Sequence, residues 1–582
     1  MFEICREAPG TAERISSRLS ASRLCRLAAA ALLCAILVAC GGRSDDAAPP
    51  DPLAAFTQQK LDWQVCGAAL FDETYDAQLT VLGERARCAL MRVPLDYDHP
   101  AQGELQIELL RVAAAQPQQR LGAIVFNPGG PGENGLASAL AQAVEWTQAR
   151  DEDVGGTQLR EMGNRYDVIG FSPRGTGASH PLVCDVAGAF EPQGSVTFDR
   201  SADNLQRVQR NAQLMAQSCL NNPLSPHIHT EATARDMDLI RTLLGEARLN
   251  YIGYSYGTWL GSWYARLFPQ RVGRMLLDSS LDMTQRLDDQ FMLQDMANQR
   301  ILEEIMLPYA ERHQYKLALG NASALRAALL ALPPALKAAL FEDMDFMDSS
   351  VIERAVLRMG AAIGLDAVMR AHPDADEDEL QALVENHAFS PVPQVNDIVA
   401  QLALELIEAL EKNENQVLEE DWIETDAQGA LRLLPEFTVN MAVRCNDTGT
   451  RGDASYWLGV SHEEVARYPL LGGGTVAKPC AYWPTPARSI PPLSTIEDLP
   501  ILMLQSRYDA LTPIEGAQAN LGTLPNASLI VVENEYRHGL FPYGLPCVDE
   551  KVVQYFLQGA LPARLSSCAG KPLAGEARAP AG

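Results

Sequence analysis

The sequence has no CxxC pair and no close cluster of Cys with His among its 582 residues, so it offers no ligand set for a structural zinc. Basic residues are scarce: 47 Lys and Arg stand against 74 Asp and Glu, a net charge of −27. That balance excludes a general phosphate-binding surface, and with it nucleic acid as a partner. Internal repeats and low-complexity tracts are absent. The most apolar early run, Leu27 to Ala39, is too short for a permanent bilayer anchor. What the chain does have is a hydrophobic content of 47%, enough for a large core. Its length suits several average domains or one enlarged core carrying an insertion.

The first forty residues read as a targeting segment, with Arg14, Arg18, Arg23 and Arg26 ahead of the apolar run. The run ends in Leu37 Val38 Ala39 Cys40 Gly41, which resembles a bacterial lipoprotein cleavage box with Cys40 as the lipidated residue. By resemblance to sorted Gram-negative lipoproteins, Gly41 in place of Asp implies the periplasmic side of the outer membrane. An ordinary secretory signal that happens to contain a cysteine is the alternative. Gly42 to Lys60, rich in Pro, Ala and Asp, reads as a tether.

Four of the 12 cysteines belong to this leader, which leaves eight in the body. An even number in an exported chain suggests disulfides. Many pairings are possible; sequential neighbours give Cys66 with Cys88, Cys184 with Cys219, Cys445 with Cys480 and Cys547 with Cys568.

Strand-like runs at Leu105 to Val112, Ala123 to Phe126, Tyr166 to Phe171, Leu249 to Ile252 and Arg274 to Leu277 alternate with helical patterns. This alternation predicts a parallel, doubly wound α/β sheet. From about 283 to 435 it stops, and helical periodicity takes over, as in Ala324 to Leu332 and Ile398 to Glu411. Strands resume at Pro500 to Leu504 and Ser528 to Val532. The predicted organisation is a leader (1–39), a tether (40–60), a core in two parts (61–282 and 436–570) around a helical lid (283–435), and a tail (571–582).

One Gly-x-Ser-x-Gly pentapeptide, Gly253 Tyr254 Ser255 Tyr256 Gly257, sits between a strand-like and a helix-like run. By composition a chain this long shows the pattern by chance roughly one time in six. Its context is what matters, because a serine hydroxyl needs a sharp strand-to-helix turn, a base and oxyanion donors. A base must take the hydroxyl proton, and a carboxylate must fix the tautomer of that base. In α/β hydrolases the chain order is Ser, acid, His. Asp509 lies just past a strand, and His538 is the only histidine after it. Asp278, at the end of the strand after the elbow helix, is the alternative acid. Asp509 could instead cap the helix after Pro513, and His538 could be a surface loop residue.

Tyr256 supplies one oxyanion N–H. The loop Pro128 Gly129 Gly130 Pro131 Gly132 supplies the other; Pro131 has none, so Gly130 is the favoured donor. Without a following Lys and Ser or Thr, these glycines do not make a nucleotide loop. No cofactor or metal is implied.

Together with Val93 Pro94 Leu95 Asp96 Tyr97, Arg174 Gly175 Thr176 Gly177, Leu267 Phe268 Pro269 and Thr512 Pro513, these residues resemble exported bacterial α/β hydrolases of the tripeptidyl aminopeptidase type, related to prolyl aminopeptidases. The resemblance covers nearly the whole mature chain except the insertion. It implies an α/β-hydrolase fold, a mostly parallel sheet with a helical lid, and Ser255, Asp509 and His538 as nucleophile, acid and base. Two positions depart from the family: Ser172 stands where Asp is common and Asn134 where Ser is common. Glu133 beside the glycine loop is also unusual.

The function implied is a serine exopeptidase acting near a free N-terminus. A carboxylesterase of the same fold is the alternative, and a noncatalytic surface lipoprotein a third. The partners are a peptide or ester substrate and, through the lipid, a membrane. Glu342, Asp343, Asp345 and Asp348 form one candidate cluster for the substrate amine, with solvated surface as their simpler role.

Overall fold

The apolar runs become strands, to which shorter and more polar segments are added. In chain order they are β1 (Ala86–Pro94), β2 (Glu104–Val112), β3 (Gly122–Asn127), β4 (Tyr166–Phe171), β5 (Cys184–Asp185), β6 (Leu249–Tyr254), β7 (Val272–Asp278), β8 (Ile423–Thr425), β9 (Leu431–Leu433), β10 (Ile501–Ser506), β11 (Ser528–Glu533) and β12 (Leu565–Ala569). Nine of them form one sheet in the order β1-β2-β4-β3-β6-β7-β10-β11-β12. β3, β4 and β10 are buried at every residue, as strands with helices on both sides must be.

The sheet is parallel from β4 to β12. At the other edge β1 pairs antiparallel with β2, and β2 with β4. The strand character of β1 and β12 is not visible in the sequence pattern. Arg87 and Arg92 interrupt the apolar pattern of β1, and β12 is mostly exposed.

This computed structural model describes residues 51–576 apart from 68–69, 72, 154, 315, 318, 342–343, 414–421 and 485–487. The leader with Cys40, and Glu342 and Asp343 of the candidate acidic cluster, lie outside the described residues. The described residues from 55 onward form one compact unit. Among the described residues no single helix is long and apolar enough to cross a membrane.

The helices that carry the site are α1 (Gly135–Gln148), α2 (Thr230–Leu243) and α3 (Tyr256–Leu267), followed by α4 (Leu293–Ile301), α5 (Ile352–Ala371) and α6 (Pro393–Asn413) of the insertion, and α7 (Pro435–Asp447) and α8 (Ala454–Arg467) after it. The insertion is helical except near its end, where the short strands β8 and β9 form a hairpin that pairs with β5. Three-residue strands leave too few alternations to show a period of two. The insertion has its own apolar core from α4, α5 and α6, and that core continues into Ala510 and Tyr536, the neighbours of Asp509 and His538.

Two of the segments that carry the family resemblance hold the fold. Arg174 is fully buried, donates to Asp236 at 2.8 and 2.7 Å, and reaches the carbonyls of Pro94 and Leu95. Tyr97 donates to the same carboxylate at 2.7 Å. A buried ion pair of this kind survives because hydrogen bonds satisfy both partners. Disulfides join Cys66 to Cys88, Cys184 to Cys219, Cys445 to Cys480, and Cys547 to Cys568.

Candidate active site

The loops that carry reactive residues all leave the carboxyl ends of parallel strands, where ligands collect in open α/β sheets. Ser255 follows β6, the glycine loop follows β3, Asp509 follows β10 and His538 follows β11.

Ser255 is held at φ 54° and ψ −124°, a conformation that side chains rarely adopt. Such strain costs about 1–3 kcal/mol and persists where the surroundings enforce it. Here the enforcement is close packing. A Cβ on Gly257 would sit 2.7 Å from the Asn127 carbonyl, so only glycine lets α3 start this near β3. Gly129, at φ 117°, lies against the elbow itself: a Cβ there would meet Tyr254 O at 2.8 Å and Ser255 Cβ at 2.9 Å. The loop carrying Gly130 is therefore seated directly on the serine turn.

Tyr256 opens α3, so its N–H is one of the helix's unpaired donors. Its side chain enters a network that has no local sequence signature. Tyr256 Oη lies 2.6 Å from Thr230 Oγ1, and Thr230 hydrogen-bonds through that oxygen to Asp447 Oδ2. Asp447 Oδ1 also accepts the Thr230 N–H at 2.8 Å, and Oδ2 the Trp259 indole N–H at 3.0 Å. Burial pushes the Asp447 carboxyl up to about 6 against these donors. Thr230 and Asp447 lie 217 residues apart, which is why pattern reading could not find them.

His538 Nδ1 lies 2.9 and 3.0 Å from the two oxygens of the fully buried Asp509. Asp509 Oδ1 also accepts the N–H groups of Leu511 and Thr512, so the carboxylate caps its own loop and orients the imidazole at once. Burial disfavours the charged ring, but the charge and hydrogen bond of Asp509, with the charge of Asp278, outweigh it and raise the His538 pKa above the usual value. Asp278, the alternative acid, does not face the ring with a hydrogen bond. Its Oδ2 accepts the backbone N–H of Leu540 and Phe541.

Among the described residues no hydrogen bond joins Ser255 to His538, a separation common in free enzymes before substrate closes the site. Their segments nevertheless touch: Tyr254 Oη donates to Phe541 O at 2.7 Å.

The two positions that differ from the common pattern make local hydrogen bonds. Asn134 Oδ1 accepts the Leu136 N–H and caps α1, and the buried Ser172 hydroxyl lies 2.9 Å from Thr176 Oγ1. Glu133 is exposed. Of the acidic candidates in the lid, Asp345 and Asp348 accept N–H groups of their own loop. A 460 Å³ cavity between α4 and α8, lined by Asp282, Leu293, Arg451, Tyr456 and Glu464 among others, includes none of Ser255, Asp509 and His538.

A serine on a strained strand-to-helix turn of this sheet, with a carboxylate and imidazole paired on later loops, defines an α/β hydrolase of the serine type. Comparison with known proteins agrees. Residues 122–314 match the α/β hydrolase fold family and residues 468–568 the TAP-like protein family. The chain thus has the α/β-hydrolase fold, and its C-terminal part, which contains Asp509 and His538, is similar to the TAP-like family. It is 27% identical over 539 residues to a tripeptidyl aminopeptidase of Streptomyces coelicolor, covering 88% of this chain and 86% of that one. It is 26% identical over 577 residues to the serine protease Hip1 of Mycobacterium tuberculosis, covering 95% and 99%. It is also 28% identical over 542 residues to carboxylesterase B of Mycobacterium tuberculosis, covering 91% and 94%.

Proposed function

We propose that this protein is a serine exopeptidase that cleaves peptides near a free N-terminus through an acyl-enzyme, with Ser255 as nucleophile, His538 as base and Asp509 as the acid. The observation that carries the triad is the Asp509 carboxylate on His538 Nδ1, which leaves Nε2 as the proton acceptor. In this reading Ser255 Oγ attacks the scissile carbonyl while His538 takes its proton. The oxyanion is held by the N–H groups of Gly130 and Tyr256, and His538 then protonates the leaving amine. Water, activated by the same imidazole, releases the acyl group.

The peptidase reading is supported by similarity to relatives named tripeptidyl aminopeptidase and serine protease across most of both chains. The relative named carboxylesterase supports the second reading, because the same triad cleaves esters and the pocket decides. Chromogenic tripeptides with free or blocked amines, and chromogenic esters, separate the two. Turnover of free-amine peptides that vanishes in Ser255→Ala supports the exopeptidase, whereas turnover of esters alone overturns it.

The membrane part of the reading rests on the leader: an Arg-rich stretch, an apolar run and Leu37 Val38 Ala39 Cys40 Gly41, ahead of a body with four disulfides. Cys40 becomes the lipidated N-terminus of an exported enzyme anchored on the periplasmic side of the outer membrane. Metabolic labelling with an alkyne fatty acid tests this. Label that is lost in Cys40→Ala supports it, and an unlabelled wild-type protein overturns it.

A further inference from the structure

Six consecutive backbone N–H groups around the proposed base each have an acceptor. Glu535 Oε1 takes those of Tyr536 and Arg537, the Met347 carbonyl that of His538, Ser279 Oγ that of Gly539, and Asp278 Oδ2 those of Leu540 and Phe541. Three of the six are thus held by two adjacent residues at the end of β7. Asp278 also reaches the other side of the site, because its own carbonyl accepts the Ser255 N–H at 3.0 Å. One fully buried residue therefore binds the nucleophile's backbone through its main chain and the segment after the base through its side chain.

Ser279 adds a second sign of a built feature. It is fully buried and non-glycine, yet sits at φ 58°, with its N–H on Leu504 O and its hydroxyl on Gly539. Left-handed backbone at such a residue is kept only where the surroundings over-determine it. The acid–base chemistry itself uses neither residue.

We propose that Asp278 is a positioning residue, assisted by Ser279, that sets the reach between the Ser255 hydroxyl and the His538 imidazole. The inference rests on reading Ser255, Asp509 and His538 as a triad. Its charge bears on the same site. Burial pushes Asp278 up to about 7 despite its two N–H donors, and the charged groups around the imidazole are Asp509 and Asp278. Asp509 and the partly buried Tyr254 are the other titratable groups that Asp278 acts on. Removing the Asp278 charge lowers the His538 pKa, so the acid limb of activity moves to lower pH.

The test compares Asp278→Ala, Asp278→Asn and Ser279→Ala in the full chain, by steady-state kinetics, pH profile and the rate of fluorophosphonate labelling. Asp278→Ala is expected to lower kcat and the labelling rate by about 10² while KM changes by less than about three-fold, the pattern of lost alignment. Asp278→Asn keeps an acceptor oxygen, recovers about ten-fold of that loss, and shifts the acid limb of kcat/KM down by about half a pH unit. Ser279→Ala, which loses one acceptor only, falls by about five-fold and serves where the Asp278 variants do not fold. Variants that label and turn over at the wild-type rate overturn the proposal, as does an equal loss in Asp278→Asn with an unmoved acid limb. A wild-type protein that never labels overturns the triad and the clamp together; a wild type labelled at Ser255, with unchanged Asp278 and Ser279 variants, overturns the clamp alone.

Discussion

The His538 backbone N–H donates to the Met347 carbonyl at 2.9 Å, so the base of the proposed triad is hydrogen-bonded to the lid. Met347 is half-exposed and lies in a short turn that Asp345 Oδ1 holds by accepting the N–H groups of Met347 and Asp348. The lid core in turn runs into Ala510 and Tyr536. The lid and the imidazole loop are thus joined by a backbone hydrogen bond and by shared packing.

Loosening that turn should loosen the base. Asp345→Ala removes two acceptor contacts from an exposed side chain, worth about 1 kcal/mol, or about five-fold in kcat/KM. Amide hydrogen exchange at His538 should speed up in the same variant while global thermal stability hardly changes. Unchanged exchange at His538 would show that the lid contact does not hold the base.

The glycine loop makes a sharper demand. Gly129→Ala would put a Cβ within 2.9 Å of both Tyr254 O and Ser255 Cβ, at a backbone φ of 117° that alanine rarely adopts. The loop must lift, and the Gly130 N–H lifts with it. Loss of one oxyanion donor typically costs about 10² to 10³ in kcat, and that is the expected fall. Circular dichroism should stay native; an active Gly129→Ala variant would remove Gly130 from the site.

The pH profile follows from the Asp509–His538 pair. Burial opposes charge on the imidazole, but Asp509 and Asp278 raise its pKa above the usual value. The working form of the base is neutral, so a raised pKa moves the acid limb of kcat/KM upward, above the ordinary histidine value of about 6.5. Asp509→Asn keeps the shape but not the tautomer, and should lower kcat by about 10⁴. An acid limb below the ordinary value, or an Asp509→Asn variant within ten-fold of wild type, would show that another carboxylate orients the ring.

How far such a site can be read from sequence depends on whether its partners share a pattern. Ser255 is legible because the pentapeptide is local, and His538 because chain order leaves no other histidine after Asp509. Asp509 is legible as the first choice, with Asp278 left as the alternative since both end strands; the carboxylate that faces Nδ1 is Asp509. Thr230 and Asp447, which fix Tyr256, belong to distant segments with no shared spacing. Edge strands such as β12, and the hairpin of β8 and β9, lack the buried apolar runs that betrayed the central strands.

The four disulfides each close a loop of sequence separation 21 to 35, the range in which the chain-entropy model gives about 3–4 kcal/mol per bridge. Reduction should lower the melting temperature clearly, by more than removal of any single surface ion pair. The Cys445–Cys480 bridge should matter most for activity, because Cys445 lies two residues before Asp447 on α7. Differential scanning calorimetry with and without reductant checks the first point, and kinetics of Cys445→Ala with Cys480→Ala the second. An unchanged melting temperature on reduction would mean that the bridges do not form in the protein as made.

Asp447 offers the cleanest test of a buried carboxylate tethered to Tyr256, the proposed oxyanion donor. Burial pushes its pKa in the folded protein up to about 6, above the unfolded value near 3.9. Between those two values the folded chain binds more protons than the unfolded one, so stability contributed by Asp447 falls as pH rises through the window. From pH 5 to pH 8 the loss amounts to about 1 kcal/mol. Asp447→Asn cannot ionise and keeps an oxygen for the Thr230 N–H, so its stability relative to wild type should improve by that amount over the same range. Chemical denaturation at the two pH values measures the difference. Its activity should still fall, because an amide NH2 in place of Oδ2 cannot accept from Thr230 Oγ1 and Trp259 Nε1 as that carboxylate oxygen does, and Tyr256 loses its fixed tether. A relative stability that worsens with pH would mean that the donors from Thr230 and Trp259 outweigh burial and hold Asp447 as a favoured carboxylate.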